Sequence, residues 1–308
     1  MIEKGLWLTT KTKGLLLSFL AYLFWGILSL YWKELEGIPS YTIFAYRILW
    51  TVLTMLTYMV LSGQIPRYKT ELSLLWKEKS VFARMVLASL FITINWLAYI
   101  WAITHGQATQ ASLGYYIMPL VSIGLSVIFL KENLTRSSQM AMLLAVMGVL
   151  ILIYQTGSLP FLTLLLSFSF AFYGLLKKGV ALSSDVAMLF EAGVILPASL
   201  CYLIVFSQVS LLDLPLHDNL LLALSGVVTA IPLLLFSEAV KRAPLNQVGF
   251  LQYLNPTIQL FIAVMIFGEN ISSNELLGFA LIWLAILVFV IGQLLVVKRA
   301  KKAFFQKR

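Results

Sequence analysis

Gln110-Ala111-Ser112-Leu113-Gly114-Tyr115-Tyr116-Ile117-Met118-Pro119 and Gln247-Val248-Gly249-Phe250-Leu251-Gln252-Tyr253-Leu254-Asn255-Pro256 are two passages of one chain that agree at their first, seventh and last positions. The same offset of 137 residues carries Glu132-Asn133 onto Glu269-Asn270. Matches in chain order at one spacing mark a duplicated half-length unit. If each unit crosses a membrane an odd number of times, the second copy sits upside down, an arrangement common among secondary carriers.

Composition places the chain in that setting. Of 308 residues, 60% are hydrophobic and 11% charged, and the mean hydropathy is +0.92, too apolar for a soluble domain. Ten stretches approach the roughly 20 residues that span a hydrocarbon core. They fall at 14–32, 41–62, 82–104, 109–130, 137–155, 158–178, 185–207, 218–240, 246–268 and 273–297. The expected fold is an all-α membrane protein with ten transmembrane helices in two inverted five-helix repeats. The first repeat takes residues 1–156 and the second 157–297, followed by a basic cytoplasmic tail at 298–308.

Orientation follows from the Lys and Arg, which concentrate in cytoplasmic segments. An inside N-terminus puts Lys4, Lys11 and Lys13 there, then the clusters at 67–84, 131–136, 177–178 and 241–242, and the tail. Twenty of the 22 basic residues are then cytoplasmic. Lys33 alone falls outside, and Arg47 lies within a span. Both termini of this multi-pass protein are expected in the cytoplasm. The pI near 9.5 is therefore topological charge, to which anionic lipid heads are suited, and no nucleic acid is implied. A basic start followed by an apolar run looks superficially like a signal peptide, but the run is long and lacks a small-residue cleavage site, so a retained first helix is expected.

Several chemistries find no support. Cys201 stands alone, which leaves no internal disulfide, and is expected as packing in the seventh span. His105 and His217 belong to no cluster with metal-ligand spacing, so neither metal nor cofactor is expected. With no nucleotide loop and no soluble domain, any driving energy comes from a gradient or from the solute.

Away from the quoted passages the repeat weakens but continues. The 137 offset pairs Ala102 with Ala239 and Tyr99 with Phe236; it widens to 144 at the second and seventh spans and to 148 at the first and sixth, where Trp25-Gly26 meets Tyr173-Gly174. First-half loops are longer. Their excess includes 67–84, where Leu72, Leu75 and Trp76 share a face between Lys and Glu, as in a short helix lying on the membrane surface. Pro119 and Pro256 are expected to break the fourth and ninth spans at matching points, and Pro197 and Pro232 fall inside the seventh and eighth. Paired breaks at membrane depth point to a central solute path; the plainer reading of a membrane proline is a kink.

Lys13-Gly14, Ala21-Tyr22, Trp25-Gly26, Tyr31-Trp32-Lys33, Tyr46-Arg47-Ile48-Leu49-Trp50, Asn95-Trp96, Ser112-Leu113-Gly114-Tyr115, Pro119-Leu120, Tyr173-Gly174-Leu175-Leu176-Lys177-Lys178 and Gln252-Tyr253 with Pro256 together resemble the RarD-type permeases of the EamA branch of the drug/metabolite transporter superfamily. The resemblance covers nearly the whole chain. It implies a ten-helix inner-membrane carrier working by alternating access, linked by name to chloramphenicol sensitivity, and supplies no physiological cargo. Ser29 stands where such proteins usually carry Pro, and Tyr46 where His often precedes the Arg, which removes a titrating group.

Ionisable residues inside spans cost a few kcal/mol and are functional candidates. Arg47 and Glu191 occupy equivalent places in the second and seventh spans. In an inverted pair each lies roughly 9 Å inside its own interface, on the order of 12 Å apart along the membrane normal. Arg47 is expected to anchor an anionic or polar substrate group, the alternative being outward snorkelling to Glu34 or Glu36. Glu191 is expected to couple a proton, provided Lys177 and Lys178 point to the cytosol; otherwise it pairs with one of them. Glu238 reads as an interfacial partner of Lys241 and Arg242. The remaining expected substrate-binding residues are Asn95, Tyr99, Trp25, Tyr22, Gln110, Tyr116, Gln247 and Tyr253, aromatic walls with polar tips and repeated amides. Trp7, Tyr31 and Trp32 read as interfacial belts, and Asn95 read alternatively ties two helices together.

The leading expectation is a carrier for a small metabolite or drug-like solute. Its partners are that small-molecule substrate and the lipid bilayer, and the chain acts as monomer or homodimer. A membrane receptor or assembly protein is one alternative. An intramembrane enzyme is the other, and the repeat lacks the Ser or Asp pair it needs.

Overall fold

Apolar runs of bilayer length can satisfy their backbone only as helices, and the computed structural model of the chain is helical throughout. It describes all but residues 1, 36, 105–107, 157–160, 208, 210–213, 267–272 and 306–308, with backbone alone at 2–9, 29, 103–104, 108–110, 156, 263, 273–274, 297 and 299–305. The described residues form twelve helices and no strand: α1 (Ile2–Lys33), α2 (Ser40–Leu61), α3 (Ile65–Lys77), α4 (Lys79–Thr104), α5 (Ala108–Leu130), α6 (Arg136–Thr156), α7 (Phe161–Lys177), α8 (Ser184–Val205), α9 (Leu216–Arg242), α10 (Leu245–Leu251), α11 (Leu254–Met265) and α12 (Ser273–Phe305).

Eight of these are long and apolar enough to cross a membrane: α1, α2, α4, α5, α6, α8, α9 and α12. Helix α7 is apolar but has 17 residues, and the stretch expected as the ninth span is divided into α10 and α11. Helix α12 runs on to Phe305, so the basic tail prolongs the last helix. Proline sits immediately before α2, α9 and α10, at Pro39, Pro215 and Pro244, where its fixed φ starts a helix without costing it a hydrogen bond. Gly63 and Gly179, at φ 66° and 75°, follow α2 and α7 in a conformation that glycine adopts without steric cost.

The two matched prolines behave differently. Pro256 has no N–H for the carbonyl of Gln252, which accepts instead from Asn255 N–H at 3.1 Å, and Gln252 N–H donates at 3.2 Å to Gly249. This tighter turn separates α10 from α11. Helix α5 continues through Pro119, and α8 and α9 continue through Pro197 and Pro232. The expected symmetric break is thus present on one side. Between the two segments packing is close: a Cβ on Gly249 of α10 would stand 2.8 Å from Ile123 of α5.

Helix α6 packs on α12, α5 on α7 and α10, α1 on α9 and α11, α2 on α8 and α9, and α4 on α7 and α8. Small residues allow the tightest of these approaches, as in other membrane helix pairs. A Cβ on Gly226 of α9 would lie 2.3 Å from the Trp50 carbonyl of α2, and one on Gly148 of α6 would lie 2.7 Å from the Gly278 carbonyl of α12. The outward faces are apolar: Leu143, Met147, Leu150 and Tyr154 of α6 are all exposed at spacings of four, three and four, one helix face that suits lipid.

Helix α3 differs from the expected surface-lying helix. Leu75 is buried against Met85, Val180, Leu182 and Ala187. Glu71 accepts the Ser183 N–H and hydroxyl, both at 2.7 Å, and Asp185 accepts from Tyr68 at 3.0 Å and pairs with Arg67. The apolar stripe and its acidic neighbours dock α3 on the start of α8, and Trp76 is left exposed. Cys201, expected as core packing, is exposed on α8.

Candidate functional site

A cavity of about 890 Å³, counting the space at its mouth, lies among α1, α2, α4, α5, α7, α9 and α11. Helix α1 gives it Tyr22, Trp25, Leu28 and Trp32, successive residues of one face. Helix α4 gives Asn95, Trp96 and Tyr99 by the same spacing, α5 gives Tyr115 and Met118, and α9 gives Thr229. Gln252, at the turn between α10 and α11, joins Asn255, Pro256 and Gln259 in an amide row along the divided segment.

Arg47 is the charged member of this lining. Its guanidinium lies 4.2 Å from the ring centre of Trp96, 5.3 Å from Phe44 and 5.4 Å from Trp32, distances at which ring quadrupoles attract a cation. Its Nε and Nη2 are buried without a hydrogen-bond partner, and no Asp or Glu lines the cavity among the described residues. Snorkelling to Glu34 is not adopted; Glu36 lies outside the described residues.

Asn95 both lines the cavity and ties α4 to α7: its amide nitrogen donates to the Leu166 carbonyl at 2.8 Å and to Ser169 at 3.1 Å. Tyr99 meets Tyr115 edge to face at 5.6 Å. Trp25 and Tyr22 pack with Phe170 and Phe236, and Phe236 stacks on Tyr173 at 5.8 Å. Tyr173 carries the structure further: its hydroxyl donates to Glu191 at 3.0 Å, and Lys177 Nζ reaches the other Glu191 oxygen at 2.7 Å. The pair is buried, Lys177 to 1% and Glu191 to 7% side-chain exposure. The condition for proton coupling, ammonium groups turned to the cytosol, is not met at Lys177. Glu238 meets Lys241 at 3.7 Å and Arg242.

The cavity thus brings together Tyr22, Trp25, Arg47, Asn95, Tyr99 and Pro256 of the expected residues. Tyr116 points elsewhere, donating to the Pro256 carbonyl at 3.2 Å, which links α5 to the divided segment. Tyr253 is buried in the core shared with α12, and Gln247 is buried on α10 with its carbonyl oxygen unpartnered. The side chain of Gln110 lies outside the described residues, as do Glu269 and Asn270. The sequence offers Tyr115 beside Tyr116 as an aromatic wall, and Tyr115 does line the cavity; sequence reasoning missed Thr229, Gln252, Asn255 and Gln259, and assigned Trp32 to the interface. Amides spaced three and four residues apart beside Pro256 were the available signal.

The chain matches the EamA-like transporter family twice, over residues 12–154 and 158–291. It belongs to that family. Among other EamA-like proteins, it is 43% identical to an uncharacterized transporter, YojE, of Bacillus subtilis, covering 94% of this chain and 97% of the relative. It is 37% identical to the protein RarD of Escherichia coli, covering 94% and 98%. A chloramphenicol-sensitive protein RarD of Pseudomonas aeruginosa is 26% identical over 90% of this chain and 93% of its own length. A solved crystal structure at 19% identity superposes with a TM-score of 0.68, covering 90% of this chain and 97% of that one, which shows that the two share a fold. This EamA-like chain is therefore a membrane transporter with bacterial relatives.

Proposed function

We propose that the protein is a secondary carrier that moves a small solute through this cavity by alternating access, in ten crossings arranged as two inverted five-helix repeats, 1–156 and 157–297. The carrying observation is Arg47, a permanently charged group held at membrane depth beside an open cavity where no anion among the described residues balances it. A side chain of such cost marks a solute pathway.

Helix contacts support the duplication. Exchanging the halves turns the pairing of α1 with α9 into that of α4 with α7, and the pairing of α5 with α7 into that of α1 with α10 and α11. Pairings of α2 with α8, α5 with α10, and α6 with α12 map onto themselves. With both termini cytoplasmic, the lining of α1 runs from mid-span Tyr22 to Trp32 near the outer end. The cavity is then the outward-facing one, floored on the cytoplasmic side by Phe170, Phe236 and Tyr173 with the Lys177–Glu191 pair beneath. Glu191 enters this reading as a strut of that floor.

The test is counterflow in proteoliposomes. Arg47→Ala, inserted at the wild-type level, is expected to abolish uptake, whereas Arg47→Lys, which keeps the charge and loses the planar fork, weakens it. Full uptake by Arg47→Ala would remove the cavity from the transport path.

A further inference from the structure

The charge and shape of the cavity say more about its cargo, on the premise that the cavity is the transport site. We propose that it takes a flat aromatic monocarboxylate, the carboxylate on the edge of the Arg47 guanidinium and the ring among Trp25, Trp96 and Tyr99.

The sign of the charge comes first. A guanidinium away from water loses several kcal/mol of hydration, and here the described surroundings return rings and amides, with no anion. Trp96, Phe44 and Trp32 attract the delocalised cation. Rings of this kind leave the in-plane N–H groups unpaired, and Nε and Nη2 are buried without acceptors. A carboxylate binds that fork with two parallel hydrogen bonds. A cationic solute adds a second uncompensated positive charge, and a neutral one leaves the first in place. A phosphate dianion brings more negative charge than one guanidinium balances. A zwitterionic amino acid brings an ammonium for which the described lining holds no carboxylate.

Shape follows from the walls. Trp25, Trp96, Tyr99 and Tyr115 present faces and edges to the open space, and aromatic pairs favour offset or edge-to-face seating of a ring. Gln259 Nε2 donates to Asn255 Oδ1 at 3.0 Å, which holds two of the amides as a fixed polar rail for a ring substituent. Thr229 Oγ1, buried without a partner, offers a further hydroxyl.

Three tryptophans in the lining supply the assay. The full chain in detergent is titrated with 4-nitrobenzoate, 4-nitrobenzamide, 4-nitrobenzylammonium and acetate, with tryptophan quenching as the readout and thermal shift as the check for the non-quenching acid. The expected result is saturable binding of 4-nitrobenzoate, with the amide at least about tenfold weaker, as removal of one partner of a buried charge pair predicts. The cation and acetate are expected to be weaker still. Arg47→Gln is expected to bind acid and amide alike, and Arg47→Lys to keep the preference for the acid, both at the wild-type gel-filtration volume; Arg47→Lys alone decides should the glutamine variant misfold. Equal wild-type affinity for acid and amide, or tighter binding of the cation, would overturn the proposal. Binding with this preference but without flux in proteoliposomes supports the site and defeats the carrier reading, whereas flux of cations with no carboxylate binding defeats the proposed class and leaves the carrier intact.

Discussion

Removing one member of the Lys177–Glu191 pair is expected to cost far more than removing both. The two charges sit 2.7 Å apart at 1% and 7% side-chain exposure, and Tyr173 supplies a further hydrogen bond at 3.0 Å. Leaving one such charge buried alone costs about 3–5 kcal/mol, whereas replacing both by apolar groups of similar volume is often neutral. Glu191→Gln retains the acceptor for Tyr173, which places it near the lower end, about 3 kcal/mol; Lys177→Met strands a carboxylate and falls near the upper end. At an unfolding entropy of about 2.1 cal/mol/K per residue, a chain of 308 residues shifts by roughly 1.5 °C per kcal/mol, so the single variants melt about 5–8 °C below wild type. The double variant Lys177→Met with Glu191→Leu recovers most of that loss. Intrinsic tryptophan fluorescence during a thermal ramp in one detergent measures all four proteins. Single variants melting within a degree of wild type, or a double variant whose loss equals the sum of the singles, would refute the paired-charge account.

Three other outcomes are expected. Gly226→Leu puts a Cβ 2.3 Å from the Trp50 carbonyl, so α2 and α9 part; overpacking of this kind costs about 1–3 kcal/mol or more, read as a lower melting temperature, and a wild-type melt would count against that helix contact. Glu132→Ala removes the acceptor of the Leu245 and Asn246 N–H groups, both at 2.8 Å, a loss of about 1–3 kcal/mol that Glu132→Gln partly restores in the same melt. Single cysteines at 156 and 269 are expected to react with an impermeant maleimide in whole cells, while those at 134 and 303 react only after lysis; labelling at 156 and 303 from one side would overturn the topology.

The membrane setting, the two matches to one family and the charge of Arg47 in the cavity wall were legible because each shows in one dimension: an apolar length, a repeat spacing, a charge inside an apolar run. Rotation about a helix axis is the information a single sequence withholds. Trp32 near a helix end suits an interfacial belt as well as a cavity wall, and only the turn of α1 that carries Tyr22, Trp25 and Leu28 inward decides it. The same ambiguity let Tyr116 and Tyr115 both read as cavity walls, where only Tyr115 is one, and it hid the exposure of Cys201. For α3, an apolar stripe flanked by charge fits a membrane surface and a protein surface equally; Val180 and Leu182, distant in the chain, settle the matter. Depth along the membrane normal allowed Glu191 either a free or a paired state, and lateral position, which sets the distance to Lys177, was the missing coordinate.

Arg47 and Glu191 stand at equivalent places in the two matched segments, yet among the described residues one charge meets no anion and the other is neutralised by its neighbours. On the duplicated reading, a chain with identical halves would have end states related by a two-fold rotation and of equal energy, and an empty carrier would divide its time evenly between them. In the carrier proposed above, the Lys177–Glu191 pair would hold the inner copy shut, and the described residues of the outer copy hold no such pair at Arg47. On that proposal the unloaded protein would wait with its entrance to the outside, and solute, by answering the charge of Arg47, would alter the balance between waiting and turning.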